Sequence, residues 1–92
     1  MVIAEFDVEP ETFREFSALA RRFADECIES EPGCRQFEVV HFEAAPCSVL
    51  FYEVYEDAAA FDAHCRAPHL ARFKRAFAPL IVRERPLRRG LT

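Results

Sequence analysis

The sequence predicts an α+β fold, with strand, helix, strand, strand, helix and strand building one antiparallel sheet that carries its helices on one face. Three observations carry this. Residues 49–55 read V-L-F-Y-E-V-Y, apolar on both alternating faces, as in a strand covered from both sides. Residues 11–29 instead repeat apolar side chains at helical spacing. Pro and Gly fall between such segments, notably at Pro10, Pro32, Gly33, Pro46 and Pro68, where the chain must turn.

Residues 2–8 are β-branched and aromatic and stop at Glu9-Pro10, a strand running into a turn. In the following helix Phe13, Phe16, Ala20, Phe23, Ala24, Cys27 and Ile28 share one stripe. Arg14, Arg21, Arg22, Asp25 and Glu29 face water, and Glu31-Pro32-Gly33 ends the helix. Residues 34–42 form a second strand, with Phe37, Val39 and His41 on one face. A short connection at 43–46 joins it as a hairpin to the third strand, 47–55. In that strand Val49, Phe51, Glu53 and Tyr55 line one side, and Leu50, Tyr52 and Val54 the other. Asp57 suits the N-cap of a short helix through Cys65, which Ala67-Pro68 breaks. Pro68 then opens another helix with Leu70, Phe73, Phe77, Leu80 and Ile81 as its apolar stripe. Residues 81–87 make a last strand with Pro86 near an edge, and 88–92 a loose tail. This order is the ferredoxin-like βαββαβ arrangement, a single domain over 1–92. Both faces of its sheet ask for cover that so short a chain cannot supply alone, which predicts a homodimer.

With 92 residues, about half of them hydrophobic, and ten Phe, the chain can build a real core. It has no apolar run long enough to span a membrane and no secretory leader, so a cytoplasmic protein is expected. The net charge of −4 argues against nucleic acid as a partner. The charge is lopsided: residues 66–92 hold eight basic residues and one acid, Glu84. That third either steers an anion or lies against acidic neighbours. The four cysteines form no C-x-x-C pair and are expected reduced and mostly buried. Cys65 with His64 and His69 offers metal-ligand types, but the spacing fits no zinc module, and no metal is expected. Nor is there a nucleotide loop, an H-E-x-x-H or a Ser elbow.

Glu31-Pro32-Gly33-Cys34, Phe37-Glu38-Val39, Tyr52-Glu53-Val54-Tyr55, then Asp57, Ala60, Phe61, His64, Pro68 and His69 follow a familiar progression. In these residues, over nearly its whole length, the chain resembles the antibiotic biosynthesis monooxygenase-like group. The resemblance implies the dimeric α/β barrel, in which two sheets pack face to face. It implies any of three activities: cofactor-free oxygenation of anthrones or hydroquinones, haem degradation, or isomerisation of a phosphorylated hydroxyketone of the autoinducer-2 type. The sequence holds neither Trp nor Asn. The haem-degrading members depend on both, and the quinone-forming oxygenases use both in the pocket. Ala67 stands where the family commonly has a hydroxyl residue, so that helix lacks a side-chain cap worth about 1 kcal/mol.

Candidate catalytic residues follow from chemistry. His64 is three residues after Phe61 and faces inward if Phe61 does; an imidazole there takes and returns a proton, or else bonds a core carbonyl. His69, at a helix start, either donates to a substrate oxygen or bonds locally. Glu53 interrupts an apolar strand, and a carboxylate there needs a partner; it orients a histidine, acts as a base, or pairs with an arginine across a dimer. Tyr52 and Tyr55 offer phenol donors or packing, and Phe51 and Phe73 an aromatic wall. His41 is expected exposed or structural. The leading expectation is an oxygenase of small aromatic or quinol-type substrates that uses no cofactor. An isomerase or tautomerase of a small hydroxyketone and a non-catalytic ligand-binding dimer are the alternatives.

Overall fold

Alternating burial makes β1 (Val2–Val8) a strand with one face in the core, its Val2, Ala4, Phe6 and Val8 pointing inward. The structure, a computed structural model, describes residues 1–91. A short 3-10 turn at Pro10–Thr12 leads into α1 (Phe13–Ser30). There the Thr12 hydroxyl donates to the Leu80 carbonyl at 2.7 Å and ties the helix start to the far end of the chain. Phe16, Ala20, Phe23, Ala24 and Cys27 are α1's buried stripe. Ile28, expected on that stripe, is 45% exposed, because it lies about 100° round the helix from the buried Cys27, at the stripe's rim.

β2 (Cys34–His41) and β3 (Ser48–Tyr55) form the hairpin, followed by α2 (Ala58–Cys65) and α3 (Pro68–Phe77). Asp57 caps α2 by accepting the Ala60 amide at 2.8 Å, whereas Ala67 gives α3 no side-chain cap. Gly33 lets the turn before β2 approach α2 closely: a Cβ there would lie 2.4 Å from the Ala60 Cβ. Leu80 and Ile81, expected on the last helix, lie beyond it. Pro79 sits in a 3-10 turn over Ala78–Leu80, and Ile81 opens β4 (Ile81–Glu84).

The antiparallel sheet runs β2-β3-β1-β4. The last strand stops short of the expected residue 87, since Pro86 has no amide to donate to the ladder. The expected loose tail is corrected in part: Arg88–Arg89 form β5, which pairs antiparallel with Val2 and Ile3. The Gly90 amide donates to the Met1 carbonyl at 2.9 Å, and Arg88 reaches Glu5. Thr92 lies outside the described residues.

α1 and α3 cover the inner face. Phe6, Phe16, Phe51, Phe73 and Phe77 meet with ring centroids 4.8 to 6.5 Å apart, and Phe23 stacks on Phe73 at 4.2 Å. Burial stabilises each such side chain by about 1.5–3 kcal/mol, so this cluster fixes where the helices sit on the sheet. The other face carries half-buried Ile3, Leu50, Tyr52 and Val54. Half of the basic residues of the C-terminal third are paired: Arg83 and Arg85 with Asp7, Arg88 with Glu5, and Arg72 with Glu26. Among the described residues no helix is long and apolar enough to cross a membrane.

Candidate active site

The site forms where the end of α1, the middle of β3, α2 and the start of α3 converge. Phe61 turns inward on α2 and brings His64 with it, one turn later; His64 is 5% exposed. Pro68 starts α3 so that His69, 7% exposed, faces the same spot. Glu53, on the inner face of β3 between Phe51 and Tyr55, is 3% exposed. Glu31 lies just past α1, its amide donating to the Cys27 carbonyl at 3.0 Å.

The Glu31 carboxylate holds both histidines. His64 Nδ1 is 3.0 and 3.1 Å from its two oxygens, and His69 Nε2 is 2.5 Å from one. Because an ionised carboxylate only accepts, both ring nitrogens are assigned as N–H donors toward it. That tautomer leaves Nε2 as the acceptor nitrogen of His64, 3.9 Å from Glu53 Oε1. The Tyr55 hydroxyl donates to the same Glu53 oxygen at 2.7 Å.

These contacts set the charges. Burial pushes the Glu31 carboxyl up, but the hydrogen bonds from His64 and His69 outweigh it and hold it below the ordinary carboxylate range. Glu53 goes the other way: burial, opposed by the Tyr55 bond and reinforced by the charge of Glu31, pushes it up to about 7. Burial and then the neighbouring Glu53 keep Tyr55 a phenol. Burial and then Glu31 keep Cys27 a thiol. Two carboxyls, one at each ring nitrogen of His64, are thus driven in opposite directions, a separation that favours acid–base work.

An apolar cavity of about 180 Å³ opens on the Glu53 side, lined by Phe23, Phe51, Glu53, Phe61, His64 and Phe73. An apolar cavity of about 150 Å³ accepts a benzene ring, so one aromatic ring fits this one. On the Glu31 side a groove of about 460 Å³ is bounded by Glu26, Glu31, Pro32, Ala63, His69 and Arg72. A further recess of about 490 Å³ beside Met1, Val54 and Asp57 carries neither histidine, and its Arg89 is already seated 4.7 Å over the Phe61 ring. Glu53 and His64 both line the 180 Å³ cavity.

Of the residues singled out in the sequence, His64, His69, Glu53 and Tyr55 come together, and Phe51 and Phe73 wall the cavity. Tyr52 does not join them, because alternation along β3 puts it on the opposite sheet face. His41 is exposed and meets the Phe13 ring edge-on at 5.5 Å. Cys65, grouped with the histidines by sequence proximity, is exposed; Cys27 takes that place, 3.9 Å from His64 Nδ1. Glu31 and Cys27 escape a local reading because both belong to the end of α1. A signal was present: the last turn of α1 holds the acid Glu29, followed by Glu31, and no basic residue, against the helix dipole, which asks for a donor or cation nearby.

Residues 1–76 match the family described as Antibiotic biosynthesis monooxygenase. The uncharacterized protein sll1783 of Synechocystis sp. is 36% identical over 73 residues, 79% of this chain and 49% of that protein. The chain therefore spans about half the length of this curated relative. A crystal structure of a provisionally named antibiotic biosynthesis monooxygenase from Bacteriodes thetaiotaomicron VPI-5482 superposes with a TM-score of 0.89. It is 22% identical, and the match covers 99% of this chain and 86% of that one. Rv0793 from Mycobacterium tuberculosis gives a TM-score of 0.85 at 22% identity, covering 99% and 93%. At such identities the structural likeness shows the fold.

Proposed function

Because this chain belongs to the antibiotic biosynthesis monooxygenase family, we propose that it is a monooxygenase of a small, single-ring quinol that needs no cofactor, with His64 as the base. One observation carries the reading. Glu31 fixes His64 by Nδ1, and the free Nε2 faces Glu53 at the edge of an apolar cavity sized for one ring.

A bound hydroquinone gives a phenolic proton to His64 Nε2, and Glu31 stabilises the imidazolium that results. The electron-rich quinolate transfers an electron to O2, and the radical pair closes a carbon–oxygen bond. The peroxide then loses water, so one oxygen atom stays as the new hydroxyl of a hydroxyquinone and the other leaves as water. Quinol plus O2 becomes hydroxyquinone plus water, and the atoms and electrons balance. The His64 imidazolium returns its proton to the peroxide, and Glu53, pushed up to about 7, takes the ring C–H proton and passes it to the departing hydroxide, so that both groups are restored. Tyr55 keeps Glu53 oriented.

We take the working unit to be a homodimer packed through the sheet face that carries Ile3, Leu50, Tyr52 and Val54. The test is an oxygen electrode with single-ring and fused-ring hydroquinones, followed by mass spectrometry of product formed under 18O2. The expected outcome is uptake with the single-ring compounds, label in the product, and a loss of about 10²–10⁴-fold in His64→Ala. A flat trace with every substrate overturns the reading.

Isomerisation of a hydroxyketone is the second reading, favoured by two proton-moving groups, His64 and Glu53, set 3.9 Å apart. For a phosphorylated substrate Lys74, which lines the cavity, would be the nearby cation, whereas Arg83, Arg85 and Arg88 already pair with Asp7 and Glu5. Proton exchange into the substrate without oxygen consumption would distinguish it.

A further inference from the structure

Four potential metal ligands of three kinds meet on the Glu31 side of His64. Cys27 Sγ, a Glu31 oxygen, a His64 nitrogen and a His69 nitrogen all lie within 4.8 Å of one another. They come from three helices, and their convergence is a product of the tertiary fold. Cys27 and Glu31 are four residues apart, so the end of α1 presents them side by side. We infer that Cys27, Glu31, His64 and His69 form a four-coordinate site for a zinc-class divalent cation.

The donor set fits such an ion. Imidazole, thiolate and carboxylate bind zinc at about 2.0–2.3 Å, which places tetrahedral ligand atoms about 3.3–3.7 Å apart. Here His69 Nε2 and Glu31 are 2.5 Å apart, His64 Nδ1 and Glu31 3.0 Å, and Cys27 Sγ and His64 Nδ1 3.9 Å. Shifts of about 1 Å or less in these contacts reach the tetrahedron. The charges also close. Two neutral imidazoles, one thiolate and one carboxylate neutralise a dication, so the loaded site carries no net charge into its buried surroundings. Binding breaks the Cys27 S–H bond and releases that proton to solvent as the metal–sulfur bond forms.

The surroundings of a metal site are present as well. With the metal on Nδ1, His64 carries its ring proton on Nε2 and presents it to Glu53, which the Tyr55 hydroxyl already holds at 2.7 Å. A carboxylate behind a ligating histidine is the usual way such ligands are oriented. The groove of about 460 Å³ reaches Glu31 and His69 from outside and provides the entry path. Metal on Nδ1 and proton abstraction by Nε2 exclude one another, so a loaded site does not perform the metal-free reaction proposed above.

Titration of the chelator-treated full chain with Co2+, a spectroscopic substitute for zinc, tests this separately from any turnover. The expected result is one Co2+ per chain with tetrahedral d–d bands and a thiolate-to-cobalt charge-transfer band, all bleached by Zn2+. Cys27→Ser should remove the charge-transfer band and Cys65→Ser should leave it, while Glu31→Gln, His69→Gln and Glu53→Gln each weaken binding by about 10-fold or more. Should Cys27→Ser fail to fold, the three remaining variants decide by affinity. Absence of Co2+ binding, a charge-transfer band that follows Cys65, or unchanged affinity in Glu31→Gln and His69→Gln overturns the proposal.

Discussion

Gly33→Ala should destabilise the protein and disturb α2, the helix that carries His64, although the backbone at Gly33 would accept alanine. No residue of the described chain has a positive φ, so the substitution meets no conformational strain and should by itself stabilise by about 0.4–1 kcal/mol through the unfolded state. What opposes it is Ala60. The new Cβ would sit 2.4 Å from the Ala60 Cβ, whereas carbon atoms rest about 3.5–4.0 Å apart, so α2 or the turn must yield by over about 1 Å. Overpacking of this kind costs about 1–3 kcal/mol. Movement of Ala60 also strains its 2.8 Å bond to the Asp57 cap, worth about 1 kcal/mol. The net expectation is a loss of about 1–3 kcal/mol, roughly 5- to 150-fold in the folding equilibrium. Urea unfolding of wild type, Gly33→Ala, Ala60→Gly and the double variant measures it. In the Ala60→Gly background, itself about 1 kcal/mol less stable, Gly33→Ala should turn stabilising, a coupling of at least about 1.5 kcal/mol. His64 lies one turn beyond Ala60, so turnover should fall in Gly33→Ala and recover in the double variant, since a shift of about 1 Å can cost about 10²-fold. A neutral Gly33→Ala, or the same cost in both backgrounds, refutes the steric argument.

Glu31→Gln removes the charged acceptor that fixes both histidines; kcat for quinol oxidation should fall about 10²-fold with KM little changed, read by steady-state oxygen uptake. Tyr55→Phe deletes the 2.7 Å donor to the buried Glu53 and should cost about 1–3 kcal/mol in urea unfolding at neutral pH. Asp7 gives a pH signature: the hydrogen bond from Arg83, partly offset by burial and aided by Arg85, lowers its pKa below the ordinary 3.8. Because the folded pKa is the depressed one, this stabilisation is full above about 3.8 and is lost as pH falls through the folded value. Asp7→Asn should therefore flatten the acid limb of stability against pH, measured by urea midpoints from neutrality to about pH 3, with least difference from wild type at the acid end.

The strands and helices were legible because each repeats its own period. β1 alternates strictly, and α1 shows its stripe through Cys27, so local chemistry and burial agree. The errors fall at ends, where neighbours decide. Ile28 is helical but sits at the rim of the stripe, and Arg88–Arg89 pair because β1 has a free flank there beyond the break at Pro86. Glu53 and His64 stood out as polar residues on apolar faces, and the prediction that Glu53 needs a partner is met by Tyr55. Tyr52, its neighbour, faces away for the same reason of alternation that brought Glu53 inward.

By itself the sequence determined the order of elements, the face of each that is buried, and the inward histidine and glutamate, because these depend on residues within a few positions of one another. Only the tertiary structure decided that Glu31 joins His64 to His69, that Cys27 rather than Cys65 stands beside them, and that an apolar cavity opens at Glu53. Those partners lie more than thirty residues apart in the chain and on different helices, and it is the packing of α1, α2 and α3 on one sheet face that sets their distances.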